Sequence, residues 1–342
     1  MSEAKQSIVE LIKNKINCKS FIWSQSVGLD VQGTTLVITL ASNKAGENMQ
    51  DPAACFEGWA TILKTYVIDS MPDKYNQVEL RCSDLMLPIE SSTANRHLMR
   101  FLYRVLRFKE QYDWFTMDDK LANIIDSFNR RFKGCFVNNY SKEEQKQKGK
   151  SESEIEHLLI KKNTSNDVKS LYSYFNAIGI PNDGLVIDHQ FKVGLFNDSI
   201  ADINKVFPGG SAAIDLWGFT QSQPNDFYLF ELKYQNEMIG TITEVFFYAN
   251  YMYDLLDKNG VFTLSKGDGK NIGNYNTILG FNDKKVNKIH AVMLLDKDSM
   301  HPAITPELIA VLNKGNQKAI EYSLAGYEFD EENRIVTDIS PR

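Results

Sequence analysis

Two apolar runs separated by one short turn, GSAAIDLWGFT at residues 210–220 and DFYLFELKY at residues 226–234, constrain this chain more than any other feature. Both are rich in aromatic and aliphatic residues and read as strands, and the connecting QSQPND is short enough to fold them into an antiparallel hairpin. The run that follows, EMIGTITEVFFYANYMYDLLDK, is too long for a strand and carries Ile242, Phe246, Ala249, Tyr253 and Leu256 as a helical stripe. KIHAVMLLD then reads as a strand and TPELIAVLNK as a helix. With SESEIEHLLIKKN and SLYSYFNAI helical upstream, this half of the chain is a layered α/β unit.

Earlier in the chain, TTLVITLAS and NQVELRCSDLML read as strands, and AACFEGWATILKTYVIDSM and NRHLMRFLYRVLRFKEQY as helices, giving an α+β unit. Between the halves, NNYSKEEQKQKGKSESE (residues 138–154) is apolar only at Tyr140. A length of 342 residues accommodates two domains. The expected division is an α+β domain at 1–140, a polar linker at 141–153 and a second domain at 154–342.

Composition narrows the class. Hydrophobic residues at 43% and charged residues at 24% exclude a disordered, coiled-coil or collagen-like chain. A net charge of −6 supplies no general attraction to a polyanion, so any nucleic acid must meet a local patch. The N-terminal segment reads as an amphipathic helix with Ile8, Leu11, Ile12 and Ile16 on one face, without the apolar core of a signal peptide. No apolar run approaches the roughly 18 to 20 residues of a membrane helix. The expectation is a cytoplasmic protein without membrane contact. Cys18, Cys55, Cys82 and Cys135 are widely spaced and read as reduced thiols, and the five histidines show no metal-site spacing.

Within DFYLFELKY, strand alternation puts Glu231 and Lys233 on one face with Leu229, and Tyr228, Phe230 and Leu232 on the other. An acid and a base in so apolar a strand require each other, a metal, water or a ligand, because burying either charge alone is costly. The preceding strand holds one acid, Asp215, which a tight hairpin brings beside Glu231. Upstream, a helix carries Glu152, Glu154 and Glu156 around an apolar side of Ile155, Leu158 and Leu159.

This order, a helix acid, I-D in one strand, E-L-K in the next and then a helix, resembles the PD-(D/E)xK nuclease superfamily, also called restriction-endonuclease-like, over roughly residues 150 to 300. Residues 1–140 resemble no family. The resemblance implies a restriction-endonuclease-like core, with a central mixed sheet flanked by helices, after a separate α+β domain. It makes Asp215 the first acid, Glu231 the second and Lys233 the lysine, with Ile214 where the family often has proline. Mg²⁺ or Mn²⁺ would be held by Asp215, Glu231 and the carbonyl of Leu232, and Lys233 would orient the attacking water or stabilise charge on the phosphate. Glu156 stands ahead of Glu152 as the helix acid, with Glu154 behind. Glu244 and Tyr248, off the buried stripe of the long helix, are either accessory site residues or part of a solvated flank.

The implied activity is metal-dependent hydrolysis of nucleic acid, with DNA as the expected substrate. The alternative is a catalytically inactive module of the same fold that binds nucleic acid or protein, or a plain ion pair between Glu231 and Lys233. Residues 1–140 would serve recognition or formation of a homodimer. There Arg96, Arg100, Arg104 and Arg107 recur along one helix face, either as a phosphate-tracking ridge or as a solvated basic face that pairs with acids of its own domain or of a partner subunit, with Arg130, Arg131 and Lys133 nearby in sequence. FPGGSAA, before Asp215, reads as a loop or as a close backbone approach to a ligand.

Overall fold

The computed structural model describes residues 3–83, 85, 93–138, 150–162, 167–208, 212–220, 225–264, 286–316 and 318–342. The core of the expected linker, residues 221–224 of the expected turn, the glycines of FPGGSAA and the side chains of Arg130 and Arg131 lie outside the described residues. The chain is mixed α/β and divides into two compact units. The first is Met1–Arg131 with Glu237–Phe246 and His301–Lys318; the second is Phe132–Asn236 with Phe247–Met300 and Ala319–Arg342. That differs from one cut at 141–153, because two later segments group with the N-terminal residues.

The first unit runs α1 (Glu3–Lys15), β1 (Val27–Gln32), β2 (Thr35–Ala41), α2 (Ser42–Ala45), α3 (Phe56–Leu63) extended by a π-helical turn (Lys64–Ile68), β3 (Gln77–Ser83), α4 (Thr93–Gln111), β4 (Phe115–Met117) and α5 (Asp119–Phe132). Its sheet has the order β1-β2-β3-β4, antiparallel at the first pair and parallel thereafter. Parallel neighbours need a long crossover, and α3, buried along its whole length, lies on the one between β2 and β3. The later segments join this unit through specific contacts. Phe246 packs edge-on to Phe108 at 5.2 Å, the Tyr112 hydroxyl donates to the Leu312 carbonyl at 2.7 Å, and the Tyr66 hydroxyl to that of Ala303 at 2.9 Å.

The second unit contains β5 (Phe136–Val137), α6 (Lys150–Leu159), α7 (Leu171–Ala177), β6 (Leu185–Lys192), β7 (Leu195–Phe196), β8 (Ala213–Thr220) and β9 (Asp226–Lys233). Helix α8 (Gly240–Leu256) has residues in both units. After it come β10 (Thr263–Leu264), β11 (Lys288–Asp296), α9 (Pro306–Asn313) of the first unit, β12 (Ile320–Asp330) and β13 (Ile335–Pro341). The main sheet is six-stranded and mixed, in the order β13-β12-β11-β9-β8-β6. β8 pairs antiparallel with both β6 and β9, β9, β11 and β12 run parallel, and β13 returns antiparallel. The parallel step from β9 to β11 again needs a crossover, and the long helix α8 lies on it.

Alternation places Tyr228, Phe230 and Leu232 of β9 in one core with Leu216, Val292, Leu294 and Tyr327. Ile155 and Leu159 of α6 and Leu171, Tyr174 and Phe175 of α7 cover that face. Helix α8 is buried almost all round, so the solvated flank expected at Glu244 and Tyr248 is absent: both side chains are buried. All four cysteines are free thiols, three of them buried. Among the described residues no helix is long and apolar enough to cross a membrane.

Candidate metal centre

β8 and β9 pair from Phe219 with Phe227 to Leu216 with Phe230. Continued by one residue, the register sets Asp215 level with Glu231 on the face opposite the aromatic core. Asp215, Glu231 and Lys233 are each at most 4% exposed. Beyond the last paired residues, the Leu232 N–H donates to Asp215 Oδ2 at 3.0 Å, so a carboxylate continues where the backbone ladder stops. A buried N–H without an acceptor is costly, which gives Asp215 a structural duty as well. In an antiparallel strand the N–H and C=O of one residue face the same neighbour. The Leu232 carbonyl is therefore turned toward the Asp215 side.

Lys233 donates to Glu231 Oε1 at 2.5 Å along the same strand face. Two residues apart in a strand, the side chains lie parallel, and burial makes the pairing strong because the ammonium has little water. The Lys233 carbonyl accepts from the Tyr327 hydroxyl of β12 at 3.0 Å. Burial pushes the Tyr327 phenol well above its ordinary value, so it remains a neutral donor that braces the end of β9. Sequence reasoning did not single out Tyr327; the hydroxyl on the aromatic face of IEYSLAGYEFD is its only signal.

Of the helix acids, Glu156 is buried and accepts from Gln190 Nε2 at 2.8 Å. Glu152 is half-buried, and its Oε1 takes the Tyr234 N–H at 3.5 Å. Glu154 forms an ion pair with Arg334. Glu244, in the first unit, accepts from Gln50 Nε2 at 3.0 Å on both carboxylate oxygens. Tyr248 packs its ring 5.4 Å from that of Phe247.

Among the described residues, no three His, Cys, Asp or Glu side chains gather so as to hold a metal ion. A closed all-protein cage is thus absent there. Mg²⁺ is ordinarily held by one or two carboxylates plus waters and substrate oxygens, and it takes hard oxygen donors. Asp215, Glu231 and the Leu232 carbonyl make such a set of hard oxygen donors, and a carboxylate can accept hydrogen bonds and ligate a cation together. The donor chemistry fits the ion.

The arginine helix is a correction as to exposure, while the expected pairing with acids of its own domain holds for Arg104 and Arg107. Arg100, Arg104 and Arg107 are buried, Arg104 at 1% exposure, so they form no solvated or phosphate-tracking ridge. Arg104 donates from Nε to Glu57 Oε1 at 2.7 Å and from an Nη to Glu57 Oε2 at 3.0 Å and the Ala54 carbonyl at 2.7 Å. The Thr243 hydroxyl donates to the same Glu57 carboxylate at 2.9 Å. Arg107 pairs with Glu110 at 2.7 Å and lies over the Tyr103 ring, and Arg100 meets His97 at 3.1 Å. Helical spacing located a common face but not its environment: an arginine enters a core when a carboxylate is waiting there. Arg96 is half-buried and Lys133 is exposed.

The chain matches no protein-family model, no curated protein and no solved structure.

Proposed function

We propose that the protein is a metal-dependent phosphodiesterase of the PD-(D/E)xK type that hydrolyses nucleic acid, with DNA as substrate. The observation that carries this reading is the buried set of Asp215, Glu231 and Lys233 at the ends of two neighbouring antiparallel strands. Three antiparallel strands, a crossover helix and a parallel fourth strand support a restriction-endonuclease-like core. A cytoplasmic setting, a homodimer and a recognition role for residues 1–140 belong to the same proposal.

Asp215, Glu231 and the Leu232 carbonyl would hold Mg²⁺ or Mn²⁺, which when bound supplies Lewis-acid polarisation of a phosphate oxygen and a more acidic water. Lys233 sets its ammonium beside the Glu231 carboxylate, where its charge would orient the attacking water or stabilise charge growing on the phosphate. Tyr327 fixes the backbone at Lys233. The resemblance assigns Glu156 as the helix acid, whose helix covers the aromatic face of the sheet.

The Lys233–Glu231 pair also favours a second reading, because a lysine that satisfies a ligand carboxylate is what an inactive binding module of this fold would keep. Cleavage of supercoiled and linear DNA in Mg²⁺ or Mn²⁺ separates the two. Wild type is expected to cut only with metal, and Asp215→Asn and Lys233→Met to lose about 100-fold or more in rate. Metal-dependent cutting that survives both substitutions would refute the active site; binding of DNA without cutting would favour the inactive module.

A further inference from the structure

The parallel strands β9, β11 and β12 run toward one end of the six-stranded sheet, with Lys233 level with Leu295 and Asp296 level with Tyr327. Past the carboxyl ends of such strands the chain segments diverge, and the crevice left there is where open α/β sheets take ligands. A cleft of about 380 Å³ lies at this end. It is lined by the residues that follow β9, by the end of β11 and by the β12–β13 hairpin. That volume falls in the range of small-molecule sites.

The lining defines the kind of ligand. The Tyr234 and Phe329 rings meet edge to face, centroids 5.8 Å apart and planes at 89°, and form an aromatic corner. Around it stand the carboxylates of Asp296, Asp298, Glu328, Asp330 and Glu331, and no lining residue is basic. The neighbouring cations are committed: Lys297 pairs with Glu328 at 2.9 Å and with Asp338, and Arg334 pairs with Glu154. Among the described residues, Asp296, Asp298, Asp330 and Glu331 have no basic partner. Their field reaches the Tyr234 phenol, which burial and the Glu331 and Asp296 carboxylates push up to about 12.

A cleft of one charge sign concentrates counter-ions, and the spread of the charges selects among them. Among the described residues no three acids gather closely enough to hold a metal ion, so these carboxylates ring an opening instead of converging on a point. An organic cation distributes its charge over several groups and lays its methylenes on aromatic surface. The chain shows the same preference internally, with Arg334 Cζ 6.0 Å from the Phe329 centroid.

We propose that this cleft binds a small organic polycation of the linear polyamine class, its ammonium groups on the carboxylates and its methylene chain against Tyr234 and Phe329. The cleft shares no residue with the proposed metal centre, and the inference stands without the nuclease reading.

Calorimetric titration of the full chain with spermidine tests this, with Mg²⁺ in excess so that general screening and any metal centre are saturated. Wild type is expected to bind a single spermidine. Asp298→Asn/Glu331→Gln removes two exposed acids of the cleft and is expected to weaken binding about 10-fold. Asp183→Asn/Asp198→Asn removes two exposed acids elsewhere in the same unit and is expected to weaken it less than about 2-fold. Phe329→Leu, which leaves the charge unchanged, is expected to weaken it about 3-fold or more. No spermidine binding in excess Mg²⁺, or equal weakening by the two acid pairs, overturns the proposal and leaves the acids as a general counter-ion surface. Should Phe329→Leu not fold, the two acid pairs, all on exposed side chains, decide alone.

Discussion

The Leu232 N–H and the Asp215 carboxylate are joined across β8 and β9 at 3.0 Å, one step beyond the last paired residues of the ladder. Asp215 is thus a hydrogen-bond acceptor for the backbone, and in the proposed site it has a second, separable duty as an anionic oxygen ligand. Asparagine keeps an acceptor oxygen and loses the charge; alanine loses both. Asp215→Ala is expected to destabilise the protein by about 1–3 kcal/mol and Asp215→Asn by less than about 1 kcal/mol, with Mn²⁺ binding abolished in both. Urea unfolding alongside calorimetry checks this.

Glu231 and Lys233 share one buried environment, so removing one charge strands the other. Lys233→Ala or Glu231→Ala is expected to cost about 3–5 kcal/mol, whereas Glu231→Leu with Lys233→Met, which removes both charges at similar volume, stays near wild-type stability or above it. A double-mutant cycle in denaturant measures the coupling. If the double variant is less stable than either single variant, the pair is not a mutually dependent buried unit.

Arg104 is expected to matter for folding and not for substrate. Arg104→Ala leaves the Glu57 carboxylate buried without its bidentate partner and should cost about 3–5 kcal/mol. The salt dependence of DNA binding should keep its wild-type slope, since no phosphate contact is lost. A slope reduced by about one unit in a folded Arg104 variant would restore the phosphate-ridge reading.

His301 gives the first unit an acid sensitivity. Burial lowers its pKa from 6.5 to about 4, and the Ala303 N–H donates to its Nδ1 at 3.1 Å, which requires that nitrogen to be unprotonated. The unfolded chain thus binds a proton more readily than the folded one between pH 4 and 6.5. Stability from this group is fully present above pH 6.5 and is lost as pH falls through 4, by at most about 3 kcal/mol. His301→Asn is expected to flatten the unfolding profile between those limits; a variant with the wild-type slope would assign the acid sensitivity to other groups.

Much of this fold is written locally. KIHAVMLLD is the strand Lys288–Asp296, and period-two alternation in DFYLFELKY put Glu231 and Lys233 on a common face before any neighbour was known. Asp215 was legible for the same reason, as the one acid in an apolar strand. Gln190, the partner of Glu156, was not, because LVIDHQFK is half-buried along most of its length and its hydrophilic residues carry no apolar rhythm. A left-handed backbone at glutamine has no sequence signature at all. IEYSLAGYEFD had readable alternation in its first half and passed unread, so β12 and the Tyr327 brace were missed. The arginine face and the flank of α8 show the limit of periodicity from the other side: it groups residues by direction, while Glu57, Gln50 and the rest of the protein decide which directions are covered.

In the proposed site Asp215, Glu231 and the Leu232 carbonyl form one metal centre, and anomalous diffraction from crystals soaked in Mn²⁺ tests this most directly. The expected result is a manganese peak with all three groups about 2.0 to 2.6 Å away, lost in Asp215→Asn crystals. An absence of manganese at these residues under saturating metal, or a peak that persists unchanged in Asp215→Asn, would contradict it.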